Sequence, residues 1–240
     1  MAYFAFSSAT YIFSGIIVSM YALHYLRLFR KNGNEYSKMF FQLGCWVSFG
    51  FFLYGIPSLI YPEAHQWKGL LWFLASFCIV IGTIKPTQVA LIAWENKFDK
   101  LAGLAIPSVA ALIFLTHIFT IIPSPYTDNY GLIHWGIIYP FNFIIFMTGI
   151  LITAIPAVFL FTAEVTGKKA AIKKTIFSIT FLLGGLGGWG NILTNNAALL
   201  ILSWSAMFFG FLLLGTMLII EVVIKEPDLK KEEQNIKISQ

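Results

Sequence analysis

Apolar residues fall into seven long runs separated by short polar stretches, at 8–28, 39–61, 69–94, 101–122, 132–162, 175–193 and 197–223. A helix rising about 1.5 Å per residue needs roughly 17 to 25 residues to cross a hydrocarbon layer about 30 Å thick, and every run reaches that length. The pattern therefore predicts an all-α, polytopic membrane protein, a bundle of seven transmembrane helices. The third run, GLLWFLASFCIVIGTIKPTQVALIAW, is the one around which the rest is arranged. Its 26 residues would extend about 39 Å as a helix. Trp67 and Lys68 stand at one end, and Trp94, Glu95 and Lys97 at the other, as interfacial anchors do.

The polar residues then orient the bundle. One set of loops and the tail carry Arg27, Arg30, Lys31, Lys38, Lys97, Lys100, Lys168, Lys169, Lys173, Lys174, Lys225, Lys230, Lys231 and Lys237, whereas the opposite set carries only Lys68. Positive residues collect on the cytoplasmic side, so the N-terminus is expected outside and the C-terminus in the cytoplasm. Residues 1–224 form the transmembrane domain in this reading. The polar stretch 225–240, KEPDLKKEEQNIKISQ, is expected as a disordered tail or a lipid-surface helix.

Two runs bear on packing. The fifth lacks charge, contains Pro140 and Pro156, and is longer than a perpendicular crossing needs, so it is expected to tilt, kink or project. The sixth holds Gly184, Gly185, Gly187, Gly188 and Gly190. Gly184 and Gly188, four apart, predict a tight helix contact; a hinge, or a cofactor lying close to the backbone, is the other reading.

Composition narrows the function. With 58% hydrophobic and only 11% charged residues, no stretch remains for a soluble kinase or nuclease domain. No basic leader precedes the first run, so no cleaved signal is expected. The net charge of +5 follows from orientation and from anionic lipid headgroups, with no nucleic acid implied. Cys45 and Cys78 fall at different depths and predict neither a disulfide nor a metal framework.

Lys85 is the one charge within the third run, two thirds of the way along it, and intramembrane charge by default marks function. It could meet an anionic ligand, or its stem could reach the cytoplasmic interface while Pro86 releases a carbonyl for the ammonium or Thr87. Lys85, Gln88, Trp72, Asn142, Trp189, Asn191 and Trp204 are the candidate ligand-binding residues, entered from the outer side among the third, fifth, sixth and seventh helices. Trp46 adds to the aromatic supply; Gln42, Asn195 and Asn196 read with the other amides as interhelical hydrogen-bonders. His65, His117 and His134 share the outer side and have the chemistry for zinc or copper, without a recognised ligand spacing. His24 stands alone near the inner end of the first run. It and His117 lie at opposite depths, which argues against b-type haem. The seventh run has no lysine, which argues against retinal held as a Schiff base. No catalytic triad, carboxylate pair or phosphate loop is readable.

A basic first loop (LRLFRKNGNEYSK), a tryptophan in the second run (CWVSFGFF), a histidine near the outer end of the fourth (LTHIFTII) and a short outer loop entering the fifth (YTDNYGLIHWG) carry a resemblance. In this layout, residues 10–222 resemble the seven-helix sensor region at the N-terminus of certain prokaryotic histidine kinases. The resemblance implies a receptor or sensor that signals through its helices and cytoplasmic loops. That family feeds an attached output domain; here a separate cytoplasmic output protein is expected instead. The run ending CWVSFGFFLYG is similar also to small seven-helix sugar transporters, although internal repeats and proline pairs are missing. The expectation is a non-enzymatic, receptor-like protein of a prokaryotic plasma membrane. An accessory or structural subunit of a larger membrane complex is the alternative, and a small-solute transporter or channel a further one.

Overall fold

The computed structural model describes residues 6–60, 66–94, 125–137, 139–162 and 168–238. Six helices dominate: α1 (Phe6–Asn32), α2 (Glu35–Ile60), α3 (Gln66–Trp94), α4 (Phe141–Thr162), α5 (Lys168–Gly190) and α6 (Ala197–Ile238). Five of them are long and apolar enough to cross a membrane, and the chain is a multi-pass integral membrane protein. The exception is α5. Its first two turns carry four lysines, so its apolar part, 175–190, covers only about 24 Å. The fourth run, 101–122, lies outside the described residues.

The helices form a closed ring. Each packs on its neighbour in the chain, α3 meets α4, and α6 returns to α1. Local sequence sets the turns. Asn34 Oδ1 accepts from the Tyr36 amide to cap α2, after Gly33 has turned the chain with a positive φ of 63°. Asn196 caps α6 by accepting from the amides of Ala198 and Leu199, a local role rather than the interhelical one expected of it.

The fifth run is not one helix. Its first residues pair with those just before it in a short antiparallel hairpin, β1 (Tyr126–Thr127) and β2 (Ile133–His134), with Tyr126 opposite His134. Asp128 Oδ1 accepts from the amides of Tyr130 and Leu132, and Gly131 supplies the left-handed backbone, φ 76°, that closes the turn. Helix α4 begins only after Pro140, whose carbonyl accepts the first helical bond, from the Ile144 amide. The apolar character of 132–137 reflects burial: Leu132, Ile133 and Trp135 are at most 2% exposed, packed into the end of the bundle. Of the two expectations for the polar tail, disorder or helix, the structure has helix, with 225–238 continuing α6 without a break.

Candidate ligand cavity

The centre of the ring is hollow. A cavity offering about 120 Å³ to the centre of a water-sized molecule lies among all six helices. Tyr11 and Tyr21 both line it, and the ten residues between them correspond to about 15 Å along the bundle axis. Its lining comes from stripes at helical spacing: Trp72, Ser76, Ile79 and Thr83 on α3, and Met207, Phe211 and Leu214 on α6. No charged side chain among the described residues lines it. The lining threonines face other duties, since Thr83 donates to Val80 O, Thr153 to Gly149 O and Thr180 across to Gly210 O. An apolar void of this size stays dry, and if empty it forfeits packing worth roughly 3 kcal/mol.

The glycines of α5 divide their work. Gly185 meets Thr153 of α4, and Gly187 meets the backbone of Ser203 and Met207 on α6; a Cβ on Gly187 would come within 2.4 Å of Ser203 O. These two make close helix contacts. Of the pair chosen by spacing, Gly184 packs on α6 as expected, where a Cβ on Gly210 would come within 3.2 Å of its backbone N, while it also lines the cavity; Gly188 lines the cavity as a bare wall, where a Cβ would find nothing nearer than Met207 Sδ at 4.0 Å. The tight packing is present, and the rotation of α5 gives it to Gly184, Gly185 and Gly187 rather than to Gly188.

One end of the cavity is roofed by aromatic rings. Trp135, just past the hairpin, lies 4.9 Å from Trp72 and 5.1 Å from Tyr54, ring centre to ring centre, while Tyr11 meets Trp204 edge-on at 5.0 Å. The Trp135 indole N–H donates to Asn191 Oδ1 at 2.7 Å. Trp204 and Asn191 are buried at 0% and 1% exposure. Their Nε1 and Nδ2 donors have no hydrogen-bond partner among the described residues. The hairpin is tied down from the side, where Ser7 N donates to Gly131 O and Ile133 N to Ser7 Oγ. His134 and Asp128 close it, Nε2 to Oδ2 at 2.9 Å, with the Tyr126 ring stacked on the imidazole. Burial alone would raise the Asp128 pKa. The hydrogen bonds from His134 and from the Leu132 and Tyr130 amides, with the imidazolium charge, outweigh it and hold the carboxyl below its usual value.

Three of the seven sequence candidates thus gather at this roof, Trp72, Asn191 and Trp204, while Trp189 lines the cavity against Gly149 of α4. Asn142 is a strut instead, donating from Nδ2 to Leu193 O at 3.3 Å. Lys85 is exposed and does not line the cavity. The Gln88 side chain, like His65 and His117, lies outside the described residues. His134 is engaged with Asp128, and no group of three His, Cys, Asp or Glu side chains gathers among the described residues. Trp46 is 42% exposed on the outside of the bundle. Cys45 and Cys78 are both free thiols.

The opposite end has a polar tie that the sequence reading passed over. Glu221 on α6 pairs with Lys173 on α5 and lies 3.7 Å from His24 Nε2 on α1, so His24 is not alone. Trp135 is missed because its run reads as helix; the glycines on either side of it, Gly131 and Gly136, are the available signal of a loop. Comparison with protein families, with curated proteins and with solved structures finds nothing that matches this chain.

Proposed function

We propose that this is a non-enzymatic, receptor-like protein that crosses a prokaryotic plasma membrane seven times and holds a small ligand at its centre. The observation that carries the reading is the roofed, charge-free cavity enclosed by the ring. Its threonine hydroxyls already donate to backbone carbonyls, an arrangement suited to binding rather than bond-making.

Geometry supports the crossing number. The Trp72–Trp135 contact puts the start of α3 at the hairpin end, and the 29 residues of α3 carry the chain about 42 Å away from it. The hairpin follows in sequence at the first end, so one further crossing is called for, and 101–122 is apolar enough to supply it. Arg27, Arg30, Lys31, Lys38, Lys173 and Lys174 all belong to the end away from the hairpin, the cytoplasmic one by the positive-inside rule. Helix α6 joins the roof, at Trp204, to the cytoplasmic tie, at Glu221, and so links cavity to cytoplasmic surface.

Native mass spectrometry of the protein taken from its own membrane in mild detergent tests the reading. One small-molecule mass per chain is the expected result. A fixed assembly with other polypeptides and a vacant cavity would overturn it in favour of a complex subunit.

A further inference from the structure

We infer that the ligand is an uncharged amphiphile, a slender hydrocarbon body lying along the bundle axis with an oxygen acceptor, such as a carbonyl or ether, at its roof end. This rests on the ligand-binding reading above and names the chemistry that reading leaves open.

The body follows from shape and lining. The cavity is about 15 Å long, is apolar, and has the bare backbone of Gly184 and Gly188 as one wall, which leaves room for a chain to lie flat. A charged group placed there would lose its hydration with no counter-charge in reach. The head follows from two donors. On α6, Trp204 precedes Met207, Phe211 and Leu214 at spacings of three, seven and ten, so it continues the cavity stripe one turn into the roof. Asn191 lies in the turn just past the end of α5, between Trp189 and Ile192, both of which line the cavity. Each carries a buried N–H donor with no partner among the described residues, and a buried donor left unmade is costly. Both are donors only, since Asn191 Oδ1 is held by Trp135. An acceptor oxygen is the complement.

The test uses the full chain in detergent and three probes: a twelve-carbon methyl ketone, the matching alkane, and the matching carboxylate at pH 8. Binding is read as a thermal shift and as added mass. The ketone is expected to bind several-fold more tightly than the alkane, with the carboxylate weakest. Trp204→Phe keeps the ring and removes the N–H, and is expected to erase the ketone's advantage while alkane binding persists. Gly188→Leu fills the wall and is expected to abolish binding of both without lowering the melting temperature of the unliganded protein. A merely structural Trp204 would lower that melting temperature and preserve the ketone preference, which overturns the assignment of the head. Equal binding of ketone and alkane, or preference for the carboxylate, overturns the inference while leaving a cavity ligand in place. Absence of any binding in both the parent and Gly188→Leu overturns the inference together with the ligand-binding reading. Extraction of the native protein separates a membrane lipid from a free lipophile, either of which has this chemistry; recovery of only charged or polar small molecules would overturn the inference.

Discussion

Thr87 shares its hydroxyl proton between two carbonyls, Thr83 O at 2.8 Å within α3 and Ile152 O at 3.1 Å on α4. The second lacks its helical donor, because Pro156, four residues on, has no N–H. A proline break in one helix is thus repaired by a hydroxyl from the next, the only kind of repair available where water is absent. Thr87→Val should therefore destabilise the bundle by about 1 to 2 kcal/mol. Pro156→Ala restores an amide to Ile152 O, and in that background the same substitution should cost less than half as much. A double-mutant unfolding cycle in detergent gives the coupling, and strict additivity would refute the link. The sequence marked the Lys85-Pro86-Thr87-Gln88 step as unusual, and it is, but its working residue is Thr87. Charge drew the eye to Lys85, which faces outward.

Two adjacent glycines on α5 show how an element's rotation decides what its residues do. Gly187→Ala would press a methyl onto the α6 backbone, 2.4 Å from Ser203 O and 2.5 Å from Met207 N, and neither can move alone. It should destabilise by about 1 to 3 kcal/mol. Gly188→Ala projects into open space, and with the better helix propensity of alanine it should stabilise by about 1 kcal/mol. Melting temperatures of the two variants should move in opposite directions. Spacing alone pointed to Gly184 and Gly188, because in lipid both faces of a helix are apolar and the pattern does not say which one turns inward. The same loss of contrast hid the hairpin. In a chain this hydrophobic, LIHWGI reads as membrane span, whereas Gly131, Gly136 and Pro140 break it into a buried loop.

As a molecule, the ring is fastened at both ends, by Glu221 with Lys173 and His24 at one and by the docked hairpin at the other. The hairpin fastening titrates. Asp128 has a folded pKa below its ordinary value, so its contribution is complete above about pH 4 and is lost as pH falls through the depressed folded value. Proteolysis or hydrogen exchange at 126–134 should accordingly rise below about pH 4, and Asp128→Asn should raise it at neutral pH and flatten the acid dependence. A helix in each of the six described runs, and three of the roof residues, could be read from the chain because length and aromatic burial are local properties. The two fastenings could not, since each joins residues far apart: His24 to Glu221, and Ser7 to Ile133.

That last pair sets an order of manufacture. Ser7 and Ile133 are 126 positions apart, so α1 keeps an unfinished end until α2, α3 and the hairpin have been synthesised after it. Until then Ser7, which is fully buried in the finished fold, has no cover, and α1, made before the helices around it, is among the last of them to reach its final state.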